Sequence, residues 1–151
     1  TFALAAGNPL VARQQHRHAL RLRQDSDDQW GIAESLLQLG RVEHHAGNAD
    51  EGRRLLTEAI RAAWHASALP VLLEALLALA MLRRDCGDEP GAEEILLALL
   101  HEPESSRHLR DQAGALLATV RRPRADAWHA GAPRLAAMPT VDALAARLAG
   151  R

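Results

Sequence analysis

Residues 44–60 read HHAGNADEGRRLLTEAI, and a similar stretch, LAAGNPLVARQQHRHAL, occupies residues 4–20. In both, a glycine is followed directly by asparagine and then by a helix-favouring segment. The same arrangement recurs at a spacing of 40 residues, at Gly7–Asn8, Gly47–Asn48 and Gly87–Asp88. Glycine often follows the end of a helix because it adopts left-handed backbone angles without strain, and Asn or Asp caps the next helix. The spacing predicts a helix–turn–helix boundary at each glycine.

Residues beside these turns agree with that prediction. Pro9 falls at the first helical position after Asn8, where the N–H that proline lacks has no helical acceptor. Asn48 and Glu51 have the spacing of a capping box, in which the two side chains satisfy free backbone amides at a helix start. The sequence therefore predicts that Asn48 caps the helix after Gly47.

An apolar stripe follows each turn in the same register. The stripe has helical spacing and comprises Gly52, Leu55, Leu56, Ala59 and Ile60, then Ala92, Ile95, Leu96, Leu99 and Leu100. It is weaker in the first stretch, where Gln15 and His16 take apolar positions, so that this helix is expected to be less enclosed. Two helices per period of about 40 residues predict an all-α solenoid of antiparallel helical hairpins.

Composition restricts the class of protein. Leu and Ala dominate the 48% hydrophobic content, which favours helices over strands. The formal net charge of −1 disfavours general nucleic-acid binding. A single cysteine, Cys86, cannot form an internal disulfide and is expected to pack rather than react, because its acidic neighbours disfavour a thiolate. With no run of about 18 apolar residues and no visible signal peptide, we expect a cytoplasmic protein without membrane contact.

Residues 36–60 and 76–100 resemble the tetratricopeptide repeat, whose pattern combines Leu, small residues and a turn glycine. These roles fall to Leu39, Gly40, Gly47, Gly52, Leu56 and Ala59, and to Leu79, Ala80, Gly87, Ala92, Leu96 and Leu99. The resemblance covers residues 1 to about 122 and implies a right-handed solenoid. Glu43 and Arg83 replace the usual aromatic residue, and Trp64 replaces the usual proline.

The period of about 40 exceeds the usual repeat of about 34 residues, and we expect the additional residues to lengthen the links between hairpins at 26–30 and 66–70. Longer repeats of this kind are similar to those in the C-terminal regions of MalT-like and AfsR-like bacterial transcriptional regulators. That resemblance implies that the chain is the regulatory part of a larger protein. If Gly7 ends a helix, residues 1–6 are only its last turn, so we expect the helical partner of residues 8–24 to lie mostly upstream.

The sequence divides into three parts: repeats over 1–122 with an incomplete first repeat, an irregular linker over 123–138, and a helix within 139–151. Thr140 is the predicted N-cap of that last helix, and its apolar face comprises Val141, Leu144, Ala145 and Leu148. The helix either caps the open end of the solenoid or binds a partner; terminal repeats favour the cap.

No pattern in the chain indicates catalysis, a cofactor or a metal. Adjacent helical residues such as His44 and His45 point about 100° apart, so the pair cannot readily hold one ion. Neither a zinc-ligand pattern, a glycine-rich phosphate loop nor a nucleophile elbow occurs. We therefore expect a protein that is not an enzyme.

Recognition is the remaining chemistry. In tetratricopeptide repeats the first helix of each hairpin lines a concave groove. That geometry implies a partner-binding groove formed by Glu34, Leu37, Arg41, His44, His45, Glu74, Leu77, Met81, Arg84, Leu117, Arg121 and Arg124. Its apolar strip (Leu37, Leu77, Met81, Leu117) beside a row of arginines would suit a peptide with apolar and acidic side chains. The alternative is that Leu37 and Leu77 belong to the core and the charges are solvated.

Two functions follow from this surface. The first is a scaffold that binds a protein, a peptide or another domain of the same parent chain. The second is a sensor that closes around a small effector, which requires a dry pocket. Nucleic-acid binding through Arg121, Arg122 and Arg124 is a weaker hypothesis, since these residues suit a solvated loop. Association of copies through the open N-terminal edge also stays open.

Overall fold

The computed structural model describes residues 8–121 and 139–150, and every regular element in those ranges is an α-helix. The helices are α1 (Pro9–Asp25), α2 (Gln29–His45), α3 (Ala49–His65), α4 (Leu69–Asp85), α5 (Glu89–His101), α6 (Arg107–Arg121) and α7 (Val141–Leu148). The all-α prediction is therefore confirmed for this part of the chain. The predicted turn at Gly7 and the predicted linker over 123–138 lie outside the described residues.

Helices α1 to α5 begin at residues 9, 29, 49, 69 and 89, so a new helix starts every 20 residues. The first four are each 17 residues long, and three residues connect each to the next. The expected long links at 26–30 and 66–70 are therefore wrong. Those connections, 26–28 and 66–68, are as short as the turns at the glycines, and the additional residues lie within the helices.

All four short connections use the same backbone turn. Asp27, Gly47, Ser67 and Gly87 have φ of 54°, 85°, 53° and 83°, in the left-handed region. Around Gly47, the amide of Asn48 donates to the carbonyl of Glu43 at 2.9 Å, which is the long hydrogen bond of a Schellman motif. Only two of these four positions hold glycine. Glycine spacing therefore reveals two of the four turns, although the backbone makes the same turn at all four.

Side-chain capping differs between the turns. Asp28 and Asp88 each accept a hydrogen bond from the backbone amide three residues later, at 3.0 Å. The side chain of Asn48 does not cap the helix. Its side-chain amide, Nδ2, donates to Glu43 Oε2 at 2.7 Å instead. Glu51 pairs with Arg54 at 2.8 Å. The predicted capping box at Asn48 is therefore wrong, because a buried carboxylate offers the asparagine amide a stronger acceptor.

Consecutive helices pack against each other from α1 to α6, and α2 and α6 both pack against α4. This arrangement places α4 at the centre, where ten of its residues are buried. Helices α2 and α3 approach closely, because a Cβ on Gly40 would lie 3.2 Å from the backbone nitrogen of Leu56. One continuous core joins α2 through α7.

Helix α7 packs on α3 and α5. The hydroxyl of Thr140 caps it by accepting from the amide of Ala143 at 3.1 Å, and Val141, Leu144 and Ala145 are buried, as the sequence predicts. Arg147 also pairs with Glu94 of α5 at 2.8 Å. The helix thus lies on the flank formed by α3 and α5, whereas a cap on the end of the row would lie on α6.

Candidate functional site

One face of the molecule is formed by α2, α4 and α6, which lie side by side because α4 packs against both neighbours. All the groove residues predicted from the sequence lie on these three helices, except Arg124, which is outside the described residues. The side chains of these residues point in different directions. Some are buried in the core, some form ion pairs, and some line a cleft between α4 and α6.

The predicted apolar strip is mostly core. Leu37, Leu77 and Leu117 are only 1%, 5% and 8% exposed, whereas Met81 is 38% exposed. A helix with neighbours on several sides buries apolar residues around most of its circumference, so helical register alone misplaced Leu37 and Leu117. Met81 is the member of the strip that a ligand can reach directly.

Met81 borders a cleft of about 330 Å³ between α4 and α6. The cleft is lined by Leu77, Met81, Arg84, Gln112, Ala115, Leu116 and Thr119. Its floor is apolar, since Leu77 and Leu116 are buried core residues, and Arg84, Gln112 and Thr119 supply polar groups. Four lining residues belong to α6 and were missed. Their helical spacing at 112, 115, 116 and 119 is the signal that would have indicated one common face.

The arginines and histidines of the predicted groove make contacts between and within helices. Arg41 of α2 pairs with Glu74 of α4 at 3.3 Å, and His44 Nε2 lies 2.8 Å from Asp85 Oδ2. His45 Nδ1 lies 2.8 Å from the carbonyl oxygen of Arg41 in its own helix. The Arg41–Glu74 and His44–Asp85 contacts therefore connect α2 to α4 across the face.

Asp85 joins two of these contacts. Arg84 binds the same carboxylate through Nε at 3.0 Å and Nη2 at 2.8 Å, and its Nη1 donates to Thr119 of α6 at 3.4 Å. Burial raises the pKa of Asp85, but the hydrogen bonds from Arg84 and His44 outweigh it and hold the pKa below its usual range. Arg84 is therefore oriented by its neighbour at the edge of the cleft.

Two further predicted residues turn away from the face. Glu34 pairs with Arg23 of α1 at 3.4 Å, and Arg121 pairs with Glu93 of α5 at 2.9 Å. Of the predicted row of arginines, Arg41 and Arg84 contact carboxylates on the face, and Arg121 faces α5, so each of these three already has an acidic partner. Arg122 lies outside the described residues.

The structure contains a buried carboxylate, Glu43, that was not predicted from the sequence. Glu43 is 3% exposed, and it accepts hydrogen bonds from Arg13 Nη2 at 2.9 Å and from Asn48 at 2.7 Å. The hydrogen bond from Arg13 lowers the pKa of Glu43, although burial opposes it. Glu43 occupies the position at which the tetratricopeptide repeat has an aromatic residue. That departure from the repeat pattern is the feature of the sequence that could have indicated a buried carboxylate. It connects α1 to α2 and to the turn before α3.

The described residues give no support for a metal site, and they place Cys86 at the surface. No cluster of three His, Cys, Asp or Glu residues is placed to hold a metal ion there. Cys86 is exposed, so the expected packing role is wrong. It sits at the C-cap of α4, where the chain turns into solvent. Among the described helices, none combines the length and the apolar character needed to cross a bilayer.

Comparisons with family models, with curated proteins and with solved structures found no significant match to this chain.

Proposed function

We propose that this chain is a non-catalytic protein-interaction scaffold that binds its partner through the cleft between α4 and α6. One observation carries the proposal: an exposed methionine borders a cleft with an apolar floor and oriented polar groups. Met81 is 38% exposed, and the cleft volume is about 330 Å³. Methionine suits recognition surfaces because its unbranched, polarisable side chain adapts to different apolar partners.

The dimensions of the cleft suit one large apolar side chain of a partner peptide. Leu77 and Leu116 provide a floor that needs no rearrangement, since both are buried in the core. Arg84 and Thr119 bridge the two helices beside it, at 3.4 Å, and Gln112 offers a further hydrogen-bonding group. Interfaces commonly combine an apolar anchor in a pocket with a polar surround.

The proposed architecture is a right-handed, tetratricopeptide-like α-solenoid with a repeat of about 40 residues. Two facts support it: α1 to α5 begin every 20 residues, and alternate helices of one face, α2, α4 and α6, pack side by side. In this proposal the chain is the regulatory part of a larger cytoplasmic bacterial transcriptional regulator. Its partner is a peptide segment of another protein or of another domain of the parent chain.

The alternative is a sensor that binds a small effector in the same cleft. The volume of about 330 Å³ falls in the range of ligand sites, which is the observation in its favour. The exposure of Met81, Gln112, Ala115 and Thr119 favours a peptide instead, because a small effector is usually enclosed by its site.

Selection from a random peptide library displayed on phage tests the proposal. The chain is immobilised, and the enriched peptides are synthesised and measured by fluorescence anisotropy against the chain and its Met81→Glu variant. A carboxylate at position 81 would have to be desolvated on an apolar floor, so affinity should fall at least about tenfold, or ~1.4 kcal/mol.

Thr57→Glu is the matched control, because Thr57 lies on α3 and is partly exposed. The proposal predicts enriched peptides that share a large apolar residue and keep their affinity for this control. Enriched peptides whose affinity is the same for Met81→Glu would contradict it. A failure to enrich peptides, combined with a small molecule that raises the Tm of the chain but not of Met81→Glu, would favour the sensor.

A further inference from the structure

Helix α1 differs from the other long helices in how little of it is covered. It packs against α2, and Ala12 is its one buried residue. Leu10, Val11 and Leu22 are 63%, 39% and 56% exposed. Leu10 and Val11 lie near the start of the helix and Leu22 near its end, so exposed apolar side chains occur along its length.

The charges of α1 divide between its two sides. The helix contains four arginines and one aspartate. Arg13 and Arg23 point toward α2, where they pair with Glu43 and Glu34. Arg17 and Arg21 are exposed, and no described residue makes an ion pair with either.

Helix geometry arranges the exposed residues in two neighbouring stripes. Arg17 and Arg21 are four residues apart, so they lie one turn apart along a single cationic stripe. Val11, His18 and Leu22, spaced by seven and four residues, form an adjacent stripe that is mainly apolar until Asp25 at the end of the helix. Leu10 extends the cationic stripe toward the start of the helix.

We propose that this outer face of α1, formed by Leu10, Val11, Arg17, His18, Arg21 and Leu22, docks an acidic amphipathic helix of a partner protein. Carboxylates of the partner helix pair with Arg17 and Arg21, whose guanidinium groups bind carboxylates in bidentate fashion. Its apolar residues cover Val11 and Leu22. The surface is separate from the cleft between α4 and α6, so the chain would connect two partners.

A second copy of the chain fits this face less well than an acidic partner. In an antiparallel pair of α1 helices the same flank of each helix meets, which would bring the arginines of one copy against those of the other. A parallel pair would place the arginines of one copy on the mainly apolar stripe of the other, where the one carboxylate, Asp25, lies at the very end of the helix. Arginines of two copies that face each other repel, so charge complementarity favours an acidic partner.

The test uses a synthetic 17-residue helical peptide with glutamates along one stripe and leucines along the neighbouring one. A second peptide has glutamine in place of every glutamate. Fluorescence anisotropy measures the Kd of each for the full chain. The Kd of the glutamate peptide should be at least about tenfold lower, and it should rise as the salt concentration is raised from about 50 to about 200 mM.

Arg17→Gln/Arg21→Gln should raise the Kd of the glutamate peptide about tenfold. The matched control is Arg53→Gln/Arg61→Gln on α3, since both of these arginines are exposed and form no ion pair with a described residue. The control should leave the Kd within about twofold. Because Arg17 helps to lower the pKa of Glu43, Arg21→Gln alone serves as a second variant that does not disturb that carboxylate.

Three results would overturn the inference. The first is equal binding of the glutamate and glutamine peptides, and the second is an equal effect of the α3 control. The third is tighter binding of duplex DNA or anionic lipid vesicles than of the glutamate peptide. Met81→Glu should leave the Kd of the glutamate peptide unchanged, so failure at α1 and failure of the proposed function at the cleft are distinguishable.

Discussion

Helices α1 and α4 are both 17 residues long, yet they are held in place by different forces. Helix α4 buries ten residues and lies at the centre of the core, whereas α1 buries one. Besides the packing of Ala12 and Leu20, polar contacts attach helix α1 to α2: Arg13 to Glu43, and Arg23 to the carbonyl of Gly31, at 2.7 Å, and to Ser35, at 2.8 Å. Equal helix lengths thus conceal unequal burial, and the weakly packed helix leaves Leu10, Val11 and Leu22 exposed.

The largest difference between the two helices should appear when a leucine is truncated. Leu79 of α4 is 0% exposed, so Leu79→Ala should lower the free energy of unfolding by about 2–5 kcal/mol through lost burial and a cavity. Leu22→Ala in α1 should change it by less than about 0.5 kcal/mol, since Leu22 is 56% exposed. Urea denaturation monitored by circular dichroism measures both, and similar losses for the two variants would contradict the comparison.

The polar attachment of α1 is tested at Glu43. Glu43→Gln removes a charged acceptor from Arg13 and Asn48, and should destabilise the fold by about 1.5–3 kcal/mol at pH 7. The same urea titration gives the value. Glu58→Gln is the control, because Glu58 is exposed and its pairing with Arg54 is a surface contact. A loss no larger than that of the control would show that α1 is held by other contacts.

The pH dependence of this difference has a definite sign. The pKa of Glu43 is lowered in the folded chain from its ordinary value of 4.5, so its stabilisation is present above pH 4.5. It should be lost as the pH falls through the lower pKa of the folded state. The gap in unfolding free energy between the native chain and Glu43→Gln should therefore shrink progressively below pH 4.5. A gap that stays constant down to the acid transition would contradict this assignment.

A smaller contrast is expected at two helical glycines that lie on either side of α4. A Cβ on Gly40 of α2 would lie 2.7 Å from Leu56 Cγ, so Gly40→Ala should cost about 1–3 kcal/mol through overpacking. A Cβ on Gly114 of α6 would meet nothing within 4 Å. Gly114→Ala should therefore stabilise the chain by about 0.5–1 kcal/mol through helix propensity. Changes in Tm of opposite sign would confirm the contrast, and changes of the same sign would contradict it.

The smallest effect is expected at the turn before α4. Ser67 has φ of 53°, a conformation that favours glycine, so Ser67→Gly should stabilise the chain by about 0.5–1 kcal/mol. Ser26→Gly, one residue before the corresponding position of the first connection, is the control and should not stabilise. A destabilising Ser67→Gly would mean that the turn is held by the serine side chain.

The helical hairpins could be predicted from glycine spacing and apolar register. The left-handed turns at Gly47 and Gly87 hold glycine, the residue that favours this conformation and is easily recognised in a sequence. The equivalent turns at Asp27 and Ser67 were hidden, because residues other than glycine adopt the same left-handed conformation there. Helix α7 was predicted as a helix, but the surface on which it packs depends on contacts distant in sequence.

The candidate site was less predictable than the fold. Periodicity assigns residues to a helix face, but it does not say whether that face meets solvent or another helix, which is why Leu37 and Leu117 were misplaced. Met81 was predicted and is exposed. Gln112 and Thr119 become part of a cleft only when α6 packs beside α4, a relation between helices that no local pattern contains.

The most direct test of the central claim, a packed centre with weakly covered binding surfaces, is hydrogen exchange of the free chain followed by mass spectrometry. Amides of α4 should exchange slowest, through global unfolding, and amides of α1 should exchange fastest among the 17-residue helices, through local opening. Addition of the glutamate peptide should slow exchange in α1 and leave α4 unchanged. Equal exchange rates for α1 and α4 in the free chain would contradict the claim, because both helices would then belong to one cooperative unit.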